Sequence, residues 1–354
     1  MRALLIGALV FGACTTSSST ATPTPSTAPS VTVAAPTVAA TLTPFPTSTF
    51  SVDAAAQWPV VLYEGEGFIV SQRTESATKE VARPCGPLFK LDARPAGLLA
   101  TCRTTSGDSA ELRLISIPDG RVTVIASGVH PSWPADVSPD GKSAAAFRSG
   151  ACPSPAPVCQ TRAVLIDVAS KTEREILPSG YHLGATIAWT ALGLTLFQPE
   201  CAEAGCAGAG DKGGTFVWDG TAFKRWSDLR FVAQSGDWTL LERLRSLSDR
   251  SDPRTVIVRG PQGEKEMSAG RALAISDSGE TLVWITGPEL LMRFAPDGRV
   301  LWQASFPGEV LKVIGPDVLI GAPTSGNVEL YDLKRMLRFA PTPPVPSAVA
   351  GVAR

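Results

Sequence analysis

Self-similarity at a steady period constrains this chain more than any other feature. Six segments repeat the order strand, tight glycine turn, strand: 91–102 (LDARPAGLLATC), 137–147 (VSPDGKSAAAF), 187–197 (IAWTALGLTLF), 231–241 (FVAQSGDWTLL), 275–284 (ISDSGETLVW) and 311–321 (LKVIGPDVLIG). Their turn glycines are Gly97, Gly141, Gly193, Gly236, Gly279 and Gly315, at intervals of 44, 52, 43, 43 and 36. Each segment is followed by a second hairpin, as in ELRLISIPDGRVTVIAS (111–127), GTFVWDGTAFKRW (214–226) and NVELYDLKRMLRF (327–339). No long stretch carries an apolar stripe at helical spacing, and apolar runs are short and end in Gly, Asp-Gly or Pro. Two hairpins per period of about 40–45 residues is the signature of four-stranded propeller blades. A single twisted sheet of this size cannot bury both its faces, so such repeats must pack on one another.

The segment SPDGKSAAAF, preceded by HPSWP, resembles the TolB-type, WD-like propeller repeat, and SDSGETLVW is a looser copy. DGRVLWQASFPG followed by NVELYDLKR also resembles the repeat of quinoprotein-type propellers. The resemblance specifies fold far better than function. The expected architecture is all-β: a propeller of six or seven four-stranded blades, seven favoured, over residues 55–340. Residues 58–83 read as three further strands, which a strand from the C-terminal tail 341–354 (SAVAGV, 347–352) or from before Trp58 completes. Trp133, Trp189, Trp284 and Phe147 are expected to pack between blades.

Ahead of the repeats lies a segment of different character. Met1-Arg2 carries one positive charge, and ALLIGALVFGA (3–13) is apolar but too short for a membrane-spanning helix, which needs about 20 residues. It suits the core of a secretory signal. Gly12, Ala13 and Cys14 resemble the lipobox of bacterial lipoproteins, with Phe11 departing from the usual Leu. That resemblance implies acylation of Cys14 and a chain exported and anchored by lipid to the outer face of a membrane or the cell surface. The other reading is ordinary signal cleavage. Residues 15–54 are rich in Ser, Thr, Pro and Ala, bury too little apolar surface to offset chain entropy, and read as a disordered tether.

Without Cys14, six cysteines remain: Cys85, Cys102, Cys152, Cys159, Cys201 and Cys206. An even number in an exported domain reads as disulfides, and six allow 15 connectivities. Proximity favours 85–102, 152–159 and 201–206. Zinc is the rival, but no C-x-x-C pair or nearby His completes a tetrahedral set. No cofactor is expected. Charge is balanced, 32 basic against 33 acidic residues, which argues against a nucleic-acid partner.

The propeller resemblance implies that the loop between the second and third strands of each blade shares one face with the entry to the first strand. The long connections 148–162, 198–214 and 242–254 fall there, in three consecutive repeats, with all six cysteines, His130, Tyr181 and His182. Loops beyond hairpin length on a rigid scaffold are where binding usually resides. The candidate binding face therefore comprises His130, Arg148, Tyr181, His182, Asp211, Lys212, Arg243, Arg245 and Asp249. Neutral loop drift, stapled against proteolysis, is the other reading. Gly208, Gly210 and Gly213 match G-x-G-x-x-G by letter, but the match lies in a loop between strands, without a βαβ unit. No G-x-S-x-G or H-E-x-x-H occurs, and with two histidines a His-dependent site has little material. The expectation is a non-enzymatic scaffold binding an envelope protein or glycan. The alternative is a propeller lyase or hydrolase acting at the channel mouth.

Overall fold

In a computed structural model of the protein, all six turn glycines have positive φ, from 54° at Gly236 to 137° at Gly97. An L side chain in that region costs about 1–2 kcal/mol, and glycine avoids the cost. The structure describes residues 46–53, 55–104, 109–131, 134–149, 160–180, 182, 184–199, 213–243, 254–323, 327–341 and 348–353. Each glycine joins an antiparallel pair, such as Leu88–Arg94 with Gly97–Arg103, or Arg230–Ser235 with Trp238–Arg243. The second hairpins follow as expected, for instance Gly214–Trp218 with Phe223–Ser227. The fold is an all-β propeller.

Hydrogen bonding corrects the expected six or seven four-stranded blades. Among the described residues, five sheets stand as separate blades, and two of these have five strands rather than four. The strands from Leu88 to Gly180 form one continuous eight-stranded sheet instead. The join is Val129 opposite Arg148, where the outer strand of one meander, Val122–Val129, meets Ser143–Ser149 of the next. The Arg148 guanidinium donates to the Ser127 carbonyl across this seam, and the amide of His130 donates to the Phe147 carbonyl at 2.9 Å. The fifth strands come from the segment that composition assigns to the tether. Thr47–Ser48 adds in parallel to Val300–Ser305, and Ser51–Val52 adds in parallel to Leu337–Phe339.

Apolar clusters fill the spaces between neighbouring sheets. Phe147 is fully buried with Ala163, Ile187 and Leu196, and Trp189 packs on that cluster. Trp284, Phe306 and Tyr331 form an edge-to-face series with centroids 6.4 and 5.0 Å apart, against which Phe50 of the N-terminal segment also packs. Trp133 lies outside the described residues. Beside bulges in the innermost strands, some amides bond to a side chain of the preceding blade. The Thr215 hydroxyl accepts from the amide of Phe231 at 2.9 Å, and Glu242 Oε1 accepts from the amide of Ala272 at 2.8 Å.

The ring is closed by the C-terminal strand. Val349–Ala353 pairs antiparallel with Val60–Glu66, so one blade combines both ends of the propeller. Its residues are small, and a Cβ at Gly351 would lie 2.2 Å from Ile314 Cδ1. It packs between the innermost strands Gly308–Ile314 and Leu88–Arg94 of the sheets on either side. Lys312 and Asp92, from those two strands, form an ion pair with each other. Lys90 adds a second cation 2.9 Å from Asp92.

Burial opposes ionisation of Asp92, but Lys312, Lys90 and Arg94 outweigh it and bring its pKa down to about 2 from 3.8. A depressed carboxylate pKa contributes stability that is present above the unfolded value and lost as pH falls through the folded one. Here that contribution is on the order of 2 kcal/mol, lost between about pH 4 and 2. Titrating the Asp92 carboxyl by NMR is expected to give a low pKa in the native protein and a clearly higher one in Lys312→Met. An unchanged value in the variant refutes the pairing.

Candidate functional site

The ladder register shows which parts of the chain share a face. The start of each innermost strand lies opposite the end of the second, as in Leu88 with Cys102, Thr186 with Phe197 and Arg230 with Glu242. Entries to the inner strands therefore emerge beside the exits of the second strands. Three of those exits lead into the long loops. Ser149 pairs with Thr161, Gln198 with Gly214 and Arg243 with Thr255, so loops of 11, 15 and 11 residues hang from paired strand ends.

The two described arginines among the expected binding residues are engaged within the protein. Arg148 is paired with Glu173 as well as the Ser127 carbonyl, and Arg243 lies 3.1 Å from Glu266 on the exposed side of its blade. His182 is 2% exposed; its Nε2 lies 2.9 Å from the Pro178 carbonyl and its ring packs 6.4 Å from that of Phe147. Burial pushes the pKa of His130 down. Both histidines thus adjoin Phe147. Among the described residues no three His, Cys, Asp or Glu side chains gather to hold a metal. Cys14, Cys152, Cys159, Tyr181, Cys201, Cys206, Asp211, Lys212, Arg245 and Asp249 lie outside the described residues.

Cys85 and Cys102 form a disulfide, with Cα atoms 5.9 Å apart and a sequence separation of 17. Cys102 lies at the end of a second strand and Cys85 just before its inner partner Leu88–Arg94, so the bond pins the entry to that inner strand at this face. Two exposed aromatic rings stand beside it, Phe68 at 65% and Phe89 at 39% exposure. Phe68 lies directly on Gly86, where a Cβ would fall 1.8 Å from its ring, and only glycine leaves that space. The Arg103 guanidinium sits 4.0 Å above the Phe89 ring. Sequence reasoning missed these rings, although Phe68 stands beside Gly67 in a tight turn, where an apolar side chain has little core to enter.

A second group missed by sequence reasoning surrounds Glu242, a carboxylate that ends the buried run Thr239–Leu241 and is 1% exposed. Its Oε2 lies 3.1 Å from Arg230 and 3.9 Å from Arg254, and its Oε1 takes the Ala272 amide of the next blade. Arg230 also lies over the Phe197 ring at 5.6 Å. This cluster forms the root of the 244–253 loop and ties it to the neighbouring blade. A cleft of about 540 Å³, lined by Trp238, Pro261, Lys265, Pro296 and Asp297, opens instead among the turns of the opposite face.

No family model and no curated protein matches the chain in sequence. Solved structures do match in fold. TolB from Acinetobacter baumannii aligns over 83% of this chain and 66% of its own, at 11% identity and a TM-score of 0.43. The β-propeller domain of the trilobed protease from Pyrococcus furiosus aligns over 82% of this chain and 96% of its own, at 11% identity and a TM-score of 0.50. Prolyl oligopeptidase B from Galerina marginata aligns over 79% of this chain and 48% of its own, at 9% identity and a TM-score of 0.54. This chain therefore spans about half of the oligopeptidase and about two thirds of TolB. Likeness at this identity shows the propeller fold alone.

Two measurements check the face. Replacing both Cys85 and Cys102 by Ser is expected to lower unfolding free energy by about 3 kcal/mol in urea titration, the entropy of a loop of this length. Glu242→Ala is expected to cost about 3 kcal/mol or more, because it strands the Ala272 amide and leaves two guanidiniums without their carboxylate. Wild-type stability in that variant contradicts the role given to Glu242.

Proposed function

We propose that the protein is an exported, membrane-tethered propeller that works as a non-enzymatic scaffold, binding an envelope protein or glycan through its looped face. The observation that carries this reading is the set of three loops hung from paired strand ends in successive parts of the ring. Two of the three roots are held by ion pairs, and the face beside them carries a disulfide and two exposed phenylalanine rings. Fixed roots and fixed rings reduce the conformational entropy lost on binding. Aromatic anchors flanked by arginine are the residue types that dominate interface energies. The proposed anchor is the acylated Cys14, with the Ser/Thr/Pro-rich segment as spacer and no nucleic acid as partner.

Crosslinking in the native membrane, followed by peptide mapping, tests the reading. Recurrent crosslinks from 148–162, 198–214 or 242–254 to one protein are expected, or retention on envelope polysaccharide where the partner is a glycan. Retention must fall when Phe68 and Phe89 are replaced by Ser. Capture that is unchanged by loop shortening and by those substitutions overturns it.

A further inference from the structure

The N-terminal arm, residues 46–52, is attached to the blades as an extended peptide ligand is attached to a receptor. It crosses from the outer edge of Val300–Ser305 to that of Leu337–Phe339 and adds in parallel to each. The Gln303 amide donates to the Pro46 carbonyl and the Ser51 amide to the Met336 carbonyl, both at 3.0 Å. Within the arm only Ser48 and Phe50 are half-buried, and the other residues are exposed. Residues two apart on an extended chain share a face, so these two point inward together. The Phe50 ring meets that of the buried Tyr331 edge to face at 5.0 Å, on the cluster that includes Phe306, with Trp302 beside it. Main-chain bonds to a sheet edge, with a pocket for one side chain, are how peptides bind by strand addition.

The arm can leave without opening the ring. The body resumes at Gln57, whose carbonyl accepts from Arg335 at 2.8 Å, and at the buried Trp58, and the closing pair of strands lies downstream of both. Between arm and body the chain turns at Asp53, whose carboxylate accepts from the Ala55 amide at 2.9 Å. The path along the rim continues where the arm turns off it. Val52 lies opposite Arg338, so the next position in the same register lies opposite Phe339. There a cavity of about 250 Å³ opens, walled by Trp58, Arg338, Phe339 and Pro341. We propose that this stretch of rim is a peptide-binding site covered by residues 46–52, and that its ligand is an extended segment of a partner protein. That segment carries an aromatic residue at the place of Phe50 and a second apolar residue beyond the place of Val52. Linkage favours the arm, because a short tether gives it an effective concentration in the mM range. The cavity favours a partner segment that runs straight on. The site lies on the outer rim, apart from the looped face, and does not rest on the reading of that face.

The test uses the full chain and two dye-labelled synthetic peptides, read by fluorescence anisotropy. One is the arm sequence 46–52 (PTSTFSV), and the other is the same sequence extended by Leu-Leu. The extended peptide is expected to bind the wild-type protein several-fold more tightly than the arm peptide. Phe50→Ser in the protein takes its own ring out of the pocket and is expected to tighten both by about tenfold, as the closed fraction falls. Ser51→Pro removes only the amide donor of an exposed residue and is expected to act in the same direction. The arm peptide carrying Phe50→Ser is expected not to bind. Bound peptide is expected to restore the slow hydrogen exchange of the Gln303 amide that Phe50→Ser removes, which locates it on the rim. The site is refuted if neither variant binds peptide more tightly than the wild type, or if the peptide without its ring binds equally well. Equal affinity of the two peptides overturns the second apolar position. Concentration-dependent dimers of the wild type that disappear in Phe50→Ser overturn the partner protein as ligand and replace it with the arm of a second copy.

Discussion

Everything in this fold depends on one closure. A ring of sheets is stable only if its last member finds its first, because each sheet buries its faces against neighbours. Here a five-residue strand, Val349–Ala353, meets a strand that begins nearly 300 residues earlier in the chain. The closing strand must be thin, since side chains from both flanks converge on it. Its Val, Ala and Gly residues meet that need, and Lys312 and Asp92 join across the closing blade. A charged pair at this place costs desolvation. It also favours one way of meeting, since the pair forms only when the two flanking inner strands stand at the right separation.

The looped face inherits its order from this closure and from the joints between blades. The buried carboxylates recur as connectors. Glu242 takes an amide from the next blade, and Asp136 does the same with the amide of Trp189 at 2.8 Å while also pairing with Arg94. Each hydrogen bond fixes the rotation of one sheet against its neighbour, which apolar contacts alone leave soft. Loop roots attached to such joints keep their spacing, whatever the loops themselves do.

Much of the fold was legible in the sequence because strand and turn are local. All six turn glycines were identified from spacing, and all six adopt the backbone that requires them. The division into sheets was less legible. Whether Val129 joins Arg148 depends on how an outer strand approaches the second strand of the next meander, which no local pattern encodes. The strands at 47–52 were hidden for a related reason: Ser and Thr in a Pro-rich stretch look like tether until a sheet edge is offered to them. The Cys85–Cys102 bond followed from proximity. The cluster around Glu242 did not, since Arg230 and Glu242 come from two strands, Arg254 from a loop root and the Ala272 amide from the next blade, and only assembly brings them together. Phe68 and Phe89 look like core residues in sequence; Phe68 stands in a turn, and Phe89 at a register shift in its strand, which local pattern does not encode.

The placement of residues 46–52 has a mechanical consequence. The chain lies along the outer edge of the 271–305 blade, then of the 308–339 blade, and only then enters the closing blade at Val60. Tension applied upstream of Pro46 meets Thr47–Ser48 first and Ser51–Val52 second, and each short pairing can peel away and later re-form. The latch between Val60–Glu66 and Val349–Ala353 feels the pull last. Two weak seams in series thus act as fuses, so that a tug on the N-terminus is spent at the rim before it can open the ring.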